Sequence, residues 1–140
     1  MKKREAVSKI MTHNLVKLNV NDSLSKAESL FKKNKIKHLP VVKGNHVVGM
    51  LSYSDLLRIS FADATDESGN YVESTVYDMF SLEQVMTHKV VCVESDDDIR
   101  DVAEILSNEH FHALPVIEHD KLIGIVTSTD IINYFLEQYN

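Results

Sequence analysis

The chain has 140 residues, with 15 Lys and Arg against 21 Asp and Glu, giving a formal net charge of −6. That length fits one ordinary domain or two very small ones that share a core, and 44% hydrophobic with 26% charged residues is the composition of a soluble globular protein. The composition excludes a collagen, a disulfide scaffold and a disordered chain, and the acidity disfavours nucleic acid as a partner, because that binding rests on neutralising phosphates.

Met1-Lys2-Lys3-Arg4-Glu5 is basic, but no apolar signal region follows it. No stretch approaches the roughly 20 apolar residues of a membrane span, so no membrane partner is expected. Cys92 is the only cysteine. It has no internal disulfide partner, which agrees with a cytoplasmic location, and it reads as a buried strand residue and not as a nucleophile. An acidic chain repels anionic ligands at long range. Any phosphate site must therefore be locally basic or built from backbone N–H groups.

The elements in chain order come twice. Ile10-Met11-Thr12-His13 leads into Leu15–Leu18, which reads as a short strand. Asn21-Asp22-Ser23 offers a helix cap, and Leu24, Ala27, Leu30 and Phe31 then recur at helical spacing. Leu39–Val42 and Val47–Leu51 predict two strands joined by the polar loop Lys43-Gly44-Asn45-His46. A second helix is predicted from near Ser54 through Leu56-Leu57. Ala62 to Phe80, with Asp63, Asp66, Glu67, Glu73 and Asp78, reads as an acidic, partly mobile connection.

An offset of 75 then carries the whole pattern over without a gap. Val85-Met86-Thr87-His88 repeats the lead-in, and Val90–Val93 repeats the first strand. Asp96-Asp97-Asp98 repeats the cap, and Ile99, Val102, Ala103 and Leu106 repeat the helical face. Leu114–Ile117 and Leu122–Val126, joined by Glu118-His119-Asp120-Lys121, repeat the strand pair. Gly49-Met50-Leu51-Ser52-Tyr53-Ser54-Asp55 recurs as Gly124-Ile125-Val126-Thr127-Ser128-Thr129-Asp130. One register held across three separated motifs marks an internal duplication. A unit of about 55 residues is marginal alone, and two together solve that problem.

The strand-helix-strand-strand-helix unit, the Met-Thr lead-in, the Leu-Pro-Val strand and the closing Gly-x-x-Ser/Thr-x-Ser/Thr-Asp resemble the CBS domain, named for cystathionine β-synthase. Two in tandem resemble a Bateman module, over about Val7 to Phe135. The resemblance implies an α+β fold of two β-α-β-β-α repeats, packed through their sheets with pseudo-two-fold symmetry. The repeats fall at 7–62 and 81–138, with an acidic linker at 63–80. It also implies clefts for adenosine compounds: AMP, ADP, ATP or S-adenosylmethionine. One would combine Ser52, Ser54 and Asp55 with Val91, Phe111 and His112. The other would combine Thr127, Thr129 and Asp130 with Val16, Ile36, Lys37 and His38. A homodimer is implied as well, with the apolar end Ile131–Leu136 as a contact or, alternatively, buried within the module.

The chemistry of these residues fits that reading. An ionised Asp accepts only, so Asp55 or Asp130 can take both hydroxyls of a ribose diol. Ser52, Ser54, Thr127 and Thr129 offer hydroxyls at a helix N-terminus, where free N–H groups suit phosphate. Lys37, His38 and His112 can supply charge, and Val16, Ile36, Val91 and Phe111 can sandwich a purine. A Ser followed closely by an Asp at a helix start is also what capping alone produces. Lys37 and His38 make the Asp130 pairing the better phosphate site; His112 is followed by Ala113, which weakens the other. His110-x-His112 lacks the further ligands of a metal centre. No Gly-rich phosphate loop, His-Glu-x-x-His or Gly-x-Ser-x-Gly is present, so a regulatory module is expected and an enzyme is not. An interaction scaffold with empty clefts is the alternative.

Overall fold

The computed structural model describes residues 4–63, 77–108 and 111–139, and of 60–63 the backbone only. Most of the connection read as an acidic linker, 64–76, lies outside the described residues.

The duplication is visible in the elements. The first repeat forms β1 (Leu18–Asn19), α1 (Leu24–Asn34), β2 (His38–Lys43), β3 (His46–Ser52) and α2 (Tyr53–Asp63). A short helix, α3 (Leu82–Val85), opens the second repeat. It continues with β4 (Val93–Glu94), α4 (Ile99–Asn108), β5 (Ala113–Glu118), β6 (Lys121–Thr127) and α5 (Ser128–Glu137). Each repeat builds a three-stranded sheet in the order β1-β2-β3 or β4-β5-β6. The outer pair is parallel across the helix, and the hairpin pair is antiparallel.

The opening strands are shorter and later than the apolar runs suggest. Leu18 pairs with Val41 and Val93 with Val116, whereas 15–17 and 90–92 make no ladder. Apolar content alone does not say where pairing begins. Cys92 stands just before β4 and is half-buried. The helices follow their periodicity: Leu24, Ala27 and Phe31 are buried on α1, and Ile99, Val102 and Leu106 on α4. Ser23 caps α1 by accepting from Lys26 N at 3.1 Å. Asp98, at the matching place, accepts from Glu5 N instead.

Both hairpins carry a bulge at the same point, where Val48 and Ile123 are passed over in the register. In the first loop Gly44 takes positive φ; in the second, His119 and Asp120 both do, as a type I′ turn requires.

The compact units are not the sequence repeats. One unit comprises 16–90, and the other comprises 1–15 with 91–140. The first-repeat unit thus contains the second repeat's lead-in, and the second-repeat unit contains the first's. Thr87 bridges Met50 on the free edge of β3, with Thr87 N to Met50 O at 2.8 Å and Met50 N to Thr87 O at 3.0 Å. Thr12 bridges Ile125 on β6 in the same way, at 2.8 and 3.2 Å. Met86 and Leu82 are buried with Leu18, Leu39, Leu51 and Leu56 in one core. Met11 and Val7 are buried with Val102, Leu114, Val116 and Val126 in the other. Each lead-in covers a sheet edge that would otherwise stand open. Tyr77, counted with the linker by sequence, also lies in the first core and donates to Glu28 Oε2.

Candidate functional site

The closing motif of each repeat is a strand that turns directly into a helix. Ser52 ends β3, and its Oγ accepts from Asp55 N at 3.0 Å. Thr127 ends β6, and its Oγ1 accepts from Asp130 N at 3.2 Å. The Asp130 carboxylate returns the bond, taking Thr127 N at 2.9 Å, which completes a capping box. The helices therefore begin at Tyr53 and Ser128, slightly earlier than the apolar periodicity indicates. Ser52 and Thr127 use an oxygen lone pair on the cap, which leaves their hydroxyl protons free to donate.

The same turns are tied to the residues just before the proline strands. Tyr53 N donates to Lys37 O at 2.9 Å, and Ser128 N donates to His112 O at 3.0 Å. His38 stands opposite Ser52 in the register, and Ala113 opposite Thr127. Lys35, in the left-handed region at φ 54, ends α1 and turns the chain into Ile36–His38.

Each unit gathers its own set. In the first-repeat unit, Ser52, Ser54 and Asp55 share the end of the sheet with Ile36, Lys37 and His38. Val16 and Ile36 are half-buried against the core, and Ser54 and Lys37 are exposed. In the second-repeat unit, Thr127, Thr129 and Asp130 share it with Phe111 and His112. Phe111 packs on the core, Val91 is exposed just ahead of β4, and Thr129 and His112 are exposed. The pairings implied by the family resemblance draw one set from each unit; within a unit, each closing motif meets the pre-proline residues of its own repeat.

The two carboxylates differ. Asp55 Oδ1 lies 3.0 Å from Arg58 Nη2, one helical turn on. Asp130 forms no ion pair among the described residues. Sequence reasoning did not single out Arg58, although acid and base three apart on a helix is a readable signal. His110 lies outside the described residues, and among those described no group of three His, Cys, Asp or Glu could hold a metal ion. No helix among them is long and apolar enough to cross a membrane.

Residues 7–62 and 82–137 each match the sequence pattern of the CBS domain. The chain belongs to the CBS domain family. A CBS pair covers the matched length, and solved CBS structures share its fold. The chain is 33% identical over 135 residues to MJ1404, an uncharacterised protein of Methanocaldococcus jannaschii. The match covers 94% of this chain but 32% of the relative, so the chain spans about a third of that protein's length. CBSX2, solved in complex with AMP, is 25% identical with a TM-score of 0.78, over 96% of this chain and 98% of that one. The CBS pair of protein MJ0100, solved with 5′-methylthioadenosine and S-adenosylmethionine, is 25% identical with a TM-score of 0.76, over 94% and 99%.

Proposed function

We propose that this CBS pair is a cytoplasmic regulatory module that binds an adenosine nucleotide of the AMP, ADP or ATP type and reports it to a partner protein. The observation that carries this is the duplicated turn, in which a carboxylate, two hydroxyls and a helix N-terminus sit beside a pre-proline cation or imidazole. Asp55 and Asp130 would take the ribose hydroxyls. Ser54 and Thr129, both exposed in the first helical turn, would reach phosphate together with free backbone N–H groups. Lys37, His38 and His112 would add charge, and Val16, Ile36, Val91 and Phe111 would flank the base. The AMP bound by CBSX2 supports this ligand class. The second reading is S-adenosylmethionine, favoured by the ligands of the MJ0100 pair. Regulation follows if the ligand binds two states of the protein unequally.

Self-association belongs to the same proposal. The last helix has no buried residue and presents apolar side chains outward, as an unfilled interface does.

A thermal-shift panel of AMP, ADP, ATP, S-adenosylmethionine and GTP tests the reading on nucleotide-free protein. A ligand at 100 times its dissociation constant adds about 2.7 kcal/mol. For a protein of this size that raises the midpoint by roughly 5–10 °C. A shift confined to adenosine compounds supports the proposal. No shift with any of them overturns it and favours a ligand-free scaffold.

A further inference from the structure

Asp55 and Asp130 hold equivalent places in the two turns, but their carboxylates are turned differently. Asp130 turns back and takes Thr127 N at 2.9 Å, which closes the capping box. Asp55 turns forward along α2, where its Oδ1 lies 3.0 Å from Arg58 Nη2. The duplication explains the difference, because the place of Arg58 in α2 is held in α5 by Asn133. Asn133 is exposed and, having no charge, cannot draw Asp130 off its cap.

The Arg58–Asp55 pair is placed so that it can open. The Arg58 side chain is 74% exposed, and among the described residues it has no other ion-pair partner. An ion pair this open to water holds weakly, so a ribose diol can take the carboxylate from it. The displaced guanidinium stays close to the ligand, because its helix position is only three residues beyond Asp55. Ser54, the hydroxyl that would reach phosphate, stands four residues before Arg58 and so on the same face of α2.

The ligand's own charge then decides the balance. A phosphate gives the guanidinium a new partner, which it can grip through two parallel hydrogen bonds. An uncharged adenosine compound takes Asp55 away from Arg58 and offers nothing in return. We propose that Arg58 makes the Asp55 turn select adenosine compounds by charge, admitting those with a 5′-phosphate ahead of uncharged ones. Asn133 gives the Asp130 turn no such means of its own. The inference rests on the reading of these turns as adenosine sites and adds which residue sets the choice at one of them.

The test measures a preference, the dissociation constant of adenosine divided by that of AMP. Titration calorimetry reads it in the Asp130→Asn background, where the Asp55 turn is the intact one. A residue that merely supported the fold would move both constants together and leave their ratio alone. Arg58→Asn, which copies the second repeat, should lower the ratio by roughly fivefold, about the most that an exposed pair of charges supplies. Arg58→Lys, which keeps the charge but not the fork, should recover part of it. Added salt should lower the ratio more where Arg58 is kept than in Arg58→Asn. An unchanged ratio in Arg58→Asn would overturn the proposal, and so would a rise, which would mean that the guanidinium obstructs phosphate. Loss of all binding in the Asp130→Asn background, with the natural chain still binding, would overturn it by showing the Asp55 turn to be empty. A natural chain that binds neither compound defeats the reading of the turns as adenosine sites, and this inference falls with it.

Discussion

The Met11 thioether lies against Gly124 so closely that a β-carbon at 124 would overlap it, and Met86 stands in the same relation to Gly49. The glycines are what allow each lead-in to lie flat on the sheet edge, so Met, Thr and Gly form one device in each unit. Gly124→Ala and Gly49→Ala should each lower stability by about 1–3 kcal/mol, the usual range for overpacking. The rescues should differ. At 49 the crowding atoms all belong to the Met86 side chain, so Met86→Ala should restore part of the loss. At 124 a β-carbon would also stand 3.1 Å from Thr12 O, which is backbone and cannot retreat. Met11→Ala should therefore rescue less, as urea midpoints of the two double variants would show.

The first lead-in has a second tether. Tyr134 on α5 donates to Glu5 Oε1 at 2.8 Å, and this bond, with lesser contributions from burial and from Asp98 and Glu137, raises the phenol above its ordinary value. The bond therefore contributes stability that is fully present below the ordinary tyrosine range and is lost as pH rises through the raised value. Urea midpoints at about pH 8 and pH 11 should fall further for the natural protein than for Tyr134→Phe. At pH 8 the variant should cost at most about 1 kcal/mol, because the pair is partly exposed. Equal alkaline losses in both proteins would show that the bond does not form.

Much of this fold is legible in the sequence because its signals are local. The offset of 75, the helical faces from Leu24 and Ile99, and the paired strands around Pro40 and Pro115 all depend on residues a few positions apart. The exchange of lead-ins is not local. Thr12 meets Ile125 and Thr87 meets Met50, and nothing in Ile10–His13 tells which sheet edge it covers. The helix starts were displaced because capping by Ser52 and Thr127, not apolar spacing, decides them. The placement of Asp55 and Asp130 at strand-to-helix turns was legible, because each follows the end of an apolar strand directly. Arg58 was passed over because it lies beyond the repeated motif, and its signal is the three-residue helical spacing from Asp55. For the run Ile131–Leu136 the sequence left contact and burial open; Ile131 packs inward while Ile132, Phe135 and Leu136 face out.

Cys92 gives a simple check on the strand start. Burial, and secondarily the charge of Glu94, pushes its thiol up. Less thiolate is then available at neutral pH, and the thiolate is the reactive form. Labelling by a disulfide reagent at about pH 8 should be several-fold slower than for a free thiol and should accelerate in denaturant. Rapid labelling of the native protein would place the thiol in solvent, in conflict with its half-buried position before β4.

The two closing carboxylates should not contribute equally to ligand affinity. Asp55 already holds Arg58 at 3.0 Å, so a ribose must share or displace that partner. Asp130 spends Oδ2 on Thr127 N, and among the described residues its Oδ1 has no hydrogen-bond partner. A carboxylate with an open oxygen needs less rearrangement to accept a diol, and charge-assisted bonds of this kind are the stronger ones. Asp130→Asn should therefore remove most of the adenosine-ligand affinity, by about tenfold or more, a loss of at least roughly 1.4 kcal/mol. Asp55→Asn should remove less, and Arg58→Ala should partly offset that loss if the ion pair competes with ribose. Asn retains a capping oxygen, so both helices should stay formed, which circular dichroism can confirm. Titration calorimetry on the same preparations decides the order, and a larger loss at Asp55 would show that the arginine assists binding there.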